Sequence, residues 1–209
     1  PTSRDCPAGP RPTEKGTEVL EFVFMLTHHD RTVPDALEVL DRVATTGLRH
    51  IGFKDVGASP ELQRDLVQAA HAVGLTVHLE VVSVSAADEL RSIESAIAAG
   101  VDAVVGGTNV DAALGLLRGS GVAYSPFPGT VVGHPSELVG SIEDIARSAA
   151  DLTARDGVHG VDLLAYRHRT ADVPALTRAV VEASAGPVLV AGSVVTEDQA
   201  AAIAAAGAG

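Results

Sequence analysis

The sequence predicts an α/β fold, a (β/α)8 TIM barrel that stops before its last strand–helix unit, and three observations carry that prediction. From Val19 onward, seven short apolar runs alternate strictly with seven amphipathic stretches. Each strand–helix unit is roughly 25–30 residues long, the size of a βα repeat. A glycine stands just before six of the runs, where a helix stop is needed. Strict alternation demands a parallel sheet covered by helices. An open doubly wound sheet usually carries a Gly-rich first turn, whereas the first turn here reads Thr27-His28-His29-Asp30-Arg31. The closed barrel is the better fit.

The predicted strands span residues 19–26, 48–53, 75–82, 101–105, 122–127, 158–165 and 187–191. The predicted helices span 34–46, 60–73, 87–99, 110–117, 141–154, 173–185 and 196–206. Gly47, Gly74, Gly100, Gly121, Gly157 and Gly186 are the expected left-handed stops. Helix starts are equally legible. Ser59-Pro60-Glu61 supplies a cap, a first-turn proline and an early acid; Thr196 with Gln199 forms a capping box, and Ser85 with Asp88 resembles one. After the last helix the chain reads Ala206-Gly207-Ala208-Gly209, where an eighth strand would follow. The domain reading is a flexible Pro-rich leader over 1–17 and a barrel over 18–209 lacking its last unit. Such a barrel would expose two sheet edges, which invites a homo-oligomer.

Composition narrows the function classes. The 209 residues are 46% hydrophobic and carry a formal net charge of −12. That charge argues against nucleic acid or an anionic membrane as partner. No run of eighteen apolar residues is present. Cys6, the single cysteine, falls in the leader, which excludes disulfides and thiolate metal sites from the domain, and a cytoplasmic location is the default. Only two lysines occur, Lys15 and Lys54, against 13 arginines. A lone lysine in an arginine-rich background points to chemistry a guanidinium cannot do, namely proton loss or imine formation.

Strand alternation selects the residues that face the axis. With Ile51 and Phe53 turned to the helices, His50, Gly52 and Lys54 point inward; with Val77, Leu79 and Val81 outward, His78, Glu80 and Val82 point inward. Asp162, Leu164 and Tyr166 take the inner face of the sixth strand, and Thr27 and His29 approach the mouth. Lys54 and Glu80, on neighbouring strand ends, are the predicted catalytic pair. Burial is expected to lower the lysine pKa and raise that of the glutamate, which suits proton transfer near neutral pH. His29, Asp30, Tyr166 and Arg167 are predicted substrate contacts. Asp162, His50 and His78 are predicted to be structural, with Asp162 holding one of the histidines. His28, His29, Asp30, His134 and His168 could ligate a divalent metal, but adjacent histidines on an extended chain point apart, so no metal is predicted. The chain has no P-loop, no Gly-x-Ser-x-Gly elbow and no dinucleotide fingerprint, and no cofactor is predicted.

The seventh unit reads Val188-Leu189-Val190-Ala191-Gly192-Ser193, then a capped alanine-rich helix. A small-residue turn ahead of a helix favours an anion through its backbone N–H groups. This unit resembles that of the phosphate-binding barrels, which include the phosphoribosyl isomerases, ribulose-phosphate epimerase, N-acylmannosamine-phosphate epimerase and the keto-deoxy-phosphogluconate aldolases. The resemblance implies phosphate contacts at Gly192 and Ser193 and a small phosphorylated sugar as substrate. It departs from the commoner Gly-Gly at Gly192-Ser193. Pro126-Phe127-Pro128-Gly129 weakly echoes a strand-end motif of the aldolases. Three functions follow: an isomerase or epimerase working through Lys54 and Glu80, a Schiff-base aldolase or decarboxylase using Lys54, or a non-catalytic phosphosugar-binding barrel.

Overall fold

A computed structural model describes residues 20–209. The predicted leader, with Cys6 and Lys15, lies outside the described residues. Eleven strands are described: β1 (Val23–Met25), β2 (Thr27–His28), β3 (Arg31–Thr32), β4 (His50–Lys54), β5 (Thr76–Val81), β6 (Ala103–Gly106), β7 (Ala123–Ser125), β8 (Thr130–Val132), β9 (Glu137–Val139), β10 (Val161–Leu163) and β11 (Val188–Val190). The helices are α1 (Ala36–Val43), α2 (Pro60–Ala72), α3 (Ala86–Ala99), α4 (Val110–Leu117), α5 (Ile142–Thr153), α6 (Val173–Ala183) and α7 (Glu197–Ala205).

Seven of the strands form the barrel wall. β1, β4, β5, β6 and β7 pair in parallel in that order, and β10 pairs in parallel with β11. The two sheets are joined by backbone bonds, His159 N to the Tyr124 carbonyl at 2.7 Å and Asp162 N to the Pro126 carbonyl at 3.0 Å. Among the described residues no strand pairs with the outer edges of β1 and β11.

The strands are shorter than their apolar runs, because several flanking residues leave the ladder. The sixth run ends at Leu163, and Ala165–Arg167 winds into a 3-10 turn. The helices match their expected bounds to within a few residues. Ser59, Ser85, Ser141 and Asp172 each accept a backbone N–H at a helix start, and Thr196 with Gln199 completes the capping box. Gly47, Gly74, Gly100, Gly121 and Gly157 take positive φ as expected. Gly186 does not. It is a glycine for another reason: a Cβ there would collide with the His159 carbonyl where β10 and β11 begin.

Ile51, Phe53, Val77, Leu79 and Val81 are buried against the helices, as the alternation predicts. One core cluster joins the first five barrel strands to α1–α4, and a second gathers β10, β11, α5 and α6. No helix among the described residues is long and apolar enough to cross a membrane.

Candidate active site

β4 and β5 run in parallel with Lys54 directly opposite Glu80. Their side chains both turn inward, and Lys54 Nζ lies 3.1 Å from Glu80 Oε2. The pair is nearly sealed, Lys54 at 7% and Glu80 at 4% exposure. Both line a cavity of about 470 Å³ whose wall also includes residues of β1 and β11.

A second carboxylate completes the cluster. β2 and β3 form a tight antiparallel hairpin whose two turn residues, His29 and Asp30, have φ of 48° and 63°. A two-residue hairpin turn with both φ positive is normally filled by Asn-Gly or Asp-Gly. Here the turn carries a side chain that points into the barrel: Asp30 Oδ1 accepts from Lys54 Nζ at 2.5 Å and from Arg167 Nη2 at 3.3 Å. Thr32 ties the hairpin to the β4 end, its hydroxyl donating to the Lys54 carbonyl and accepting from the Lys54 N–H. A second hairpin, β8–β9, reaches the same point. Ser136 N donates to Asp30 Oδ2, and His134 Nδ1 stands 3.6 Å from it.

The Asp30 carboxylate is thus bonded to Lys54, Arg167 and Ser136 while it lines the cavity. Sequence reasoning placed Asp30 at the rim and missed Ser136, whose contact spans 106 residues of chain. No local signal announces a contact of that separation.

The electrostatics differ from the expectation at one residue. Burial pulls the Lys54 pKa down, but the Glu80 and Asp30 carboxylates together hold it above its ordinary value. Burial pushes Glu80 up, and the neighbouring ammonium offsets only part of that rise. Burial also opposes ionisation of Asp30, yet its bonds to Lys54 and Ser136 and the Arg167 charge keep it below the usual carboxylate range. The result is a cationic lysine beside an easily protonated glutamate.

The Gly192–Ser193 turn also faces the cavity. Gly192 has φ of 92° and Ser193 has φ of 73°, and both line the cavity with Arg167. A Cβ on Gly192 would come within 2.5 Å of Arg167 Cγ, so the glycine lets the arginine lie over the turn. His29, Asp30 and Ser193 are the non-glycine residues with positive φ among those described, and all three border the cavity. Such strain costs of order 1–3 kcal/mol per residue and gathers at functional sites.

Three expectations are corrected by position. Tyr166 sits in the 3-10 turn, where its hydroxyl donates to the Gln199 carbonyl of α7 rather than lining the cavity. Asp162 does not hold a histidine: among the described residues neither of its oxygens has a hydrogen-bond partner. His78 pairs instead with His50 at 3.1 Å, and His50 with Glu21 at 2.9 Å. His28 and His29 do not point apart either, because the left-handed backbone of His29 brings the rings to 3.8 Å. Among the described residues no group of three or more His, Cys, Asp or Glu side chains is arranged to hold a metal.

No family model matches this chain. No curated protein matches it either. Solved structures do. A Sorangium cellulosum protein assigned to the mandelate racemase/muconate lactonizing enzymes aligns with a TM-score of 0.58 at 18% identity, over 91% of this chain and 51% of its own. The chain thus spans about half the length of that protein. The YdjI aldolase from Escherichia coli K12 aligns with a TM-score of 0.58 at 13% identity, covering 88% of this chain and 71% of its own. D-psicose 3-epimerase from Clostridium cellulolyticum H10 aligns with a TM-score of 0.51 at 11% identity, over 90% and 96%. Identities this low speak to architecture alone: the chain has the TIM-barrel fold.

Proposed function

We propose that this protein is an isomerase or epimerase acting on a small phosphorylated sugar. The observation that carries the reading is the buried Lys54–Glu80 pair, 3.1 Å apart, in a cavity whose rim holds the Gly192–Ser193 turn and Arg167. An ammonium has three donors. Asp30 and Glu80 take two of them, and the third serves a substrate carbonyl oxygen. Glu80 removes a proton from the carbon beside that carbonyl, and Lys54 stabilises the charge that grows on the oxygen. Asp30 keeps Lys54 charged and aimed. The Gly192 and Ser193 backbone, with Arg167, receives the phosphate, and His29 closes the rim.

The charge state of Lys54 favours this reading over a Schiff base, because imine formation needs a neutral amine. The test is proton exchange: the protein is incubated with ketose phosphates in deuterium oxide, and label is followed at the carbon next to the carbonyl. Exchange that disappears in Glu80→Gln supports the reading. A borohydride-trapped adduct on Lys54 would replace it with a Schiff-base aldolase. Saturable binding without exchange or adduct would leave a non-catalytic phosphosugar-binding barrel. Formation of a homo-oligomer belongs to the same proposal, and sedimentation of the purified chain checks it.

A further inference from the structure

Among the buried carboxyls that line the cavity, the proton-transfer scheme leaves one unused. Asp162 on β10 is 0% exposed, lines the same cavity as Lys54 and Glu80, and has no hydrogen-bond partner for either oxygen among the described residues. His78 lies two residues below Glu80 on β5 and lines that cavity too. Its Nε2 is paired with His50, while its buried Nδ1 has no partner among the described residues. An unsatisfied buried polar group costs about 1–3 kcal/mol. Two such groups bordering one cavity are costly as packing but useful as ligand contacts.

We propose that Asp162 and the Nδ1 edge of His78 form an inner polar subsite, which takes the hydroxyl groups of a sugar carbon chain extending beyond the reacting carbonyl. This inference rests on the phosphosugar reading above and narrows it. The substrate is a singly phosphorylated ketose with its phosphate at the mouth and an uncharged, hydroxylated chain directed inward.

The charge balance supports an uncharged occupant. Burial, and then the nearby Glu80 charge, hold the Asp162 carboxyl well above the usual carboxylate range, and Lys54 offsets only part of this. A neutral carboxylic acid both donates and accepts, as a hydroxyl does. His78 is likewise kept neutral by burial and by His50. A site built from a neutral acid and a neutral imidazole has no fixed charge to attract a second anion. A carboxylate or phosphate at that end would lie unpaired, which disfavours short keto-acid phosphates.

Inert probes test this without turnover. Calorimetry compares ribitol 5-phosphate, glycerol 3-phosphate, unphosphorylated ribitol and inorganic phosphate on the wild-type chain, Asp162→Leu and Asp162→Asn. The five-carbon phosphate is expected to bind about tenfold more tightly than the three-carbon one, the scale of a hydrogen bond or two. Asp162→Leu abolishes that preference and leaves the affinity for glycerol 3-phosphate unchanged. Asp162→Asn retains most of it, since an amide also donates and accepts. Asp162→Leu should melt at or above the wild-type temperature, an outcome that a structural role for the carboxyl would not produce. Equal binding of the two phosphates by the wild-type chain overturns the subsite whatever the variants do. So does a preference that survives Asp162→Leu. If inorganic phosphate and glycerol 3-phosphate do not bind while ribitol binds in an Asp162-dependent way, the phosphate reading falls and the inner subsite stands.

Discussion

At the residue scale, each charged group in the cavity is defined by its neighbours. Lys54 is held by two carboxylates and Asp30 by two cations and a backbone N–H, whereas Glu80 has only the lysine. Glu80→Gln is therefore expected to lower kcat by about 10²–10⁴ with little change in KM, as loss of a general base does. Steady-state kinetics on the substrate found by exchange would check it. The pH profile follows from the directions of the shifts. Glu80 must be ionised to take a proton, and its pKa is raised, so activity should fall on acidification at a pH above the ordinary glutamate value of 4.5. Lys54 must stay protonated, and its pKa is raised above 10.5, so it should not cause an alkaline limb below that value. A glutamate-like acid limb at or below 4.5 would contradict the assignment of Glu80.

At the scale of elements, turns aim the side chains. The β2–β3 hairpin places Asp30 by holding two non-glycine residues in the left-handed region, which costs about 1–2 kcal/mol each. His29→Gly should therefore leave stability equal or raise it by about 1 kcal/mol in denaturant unfolding. The turn after β11 works by absence of a side chain. Gly192→Val would force Arg167 away and strain a φ of 92°, so phosphate affinity should fall by about tenfold or more. Ser193→Gly should retain phosphate affinity, because the proposed contact is through backbone. Much of this level was legible beforehand: the caps at Ser59, Ser85 and Thr196 and the stops at Gly47, Gly74 and Gly100 are local signals, and they hold. The hairpins were not legible. β2 and β3 are two residues each, too short for a period-two pattern, and β8–β9 sits in a stretch rich in Gly and Pro.

For the whole molecule, acid stability depends on the lower barrel. Burial, and the proximity of His50, depress His78 from 6.5 to about 4, although Asp102 and Glu21 oppose the shift. Between those values the unfolded chain binds a proton that the folded chain refuses. Stability from this group is therefore full above 6.5 and lost as pH falls toward 4, by at most about 3 kcal/mol. Unfolding at pH 7.5 and 4.5 should show that loss, and His78→Gln should flatten it. The core offers an independent check: Phe53 is fully buried, and Phe53→Ala should cost about 3–5 kcal/mol.

The sequence by itself determined the architecture and one buried ion pair. Alternating runs set the strands and helices, inward alternation chose Lys54 and Glu80, and neighbouring positions in a parallel sheet brought them together. These are short-range consequences of backbone geometry. Only the tertiary structure decided which groups complete the cluster. Asp30, Ser136 and Arg167 converge across up to 137 residues of chain. Their meeting sets the charge of Lys54, and packing within the barrel buries Asp162 beside the cavity. Electrostatic state follows from the sum of all neighbours and from exclusion of water, and neither is written in the local sequence.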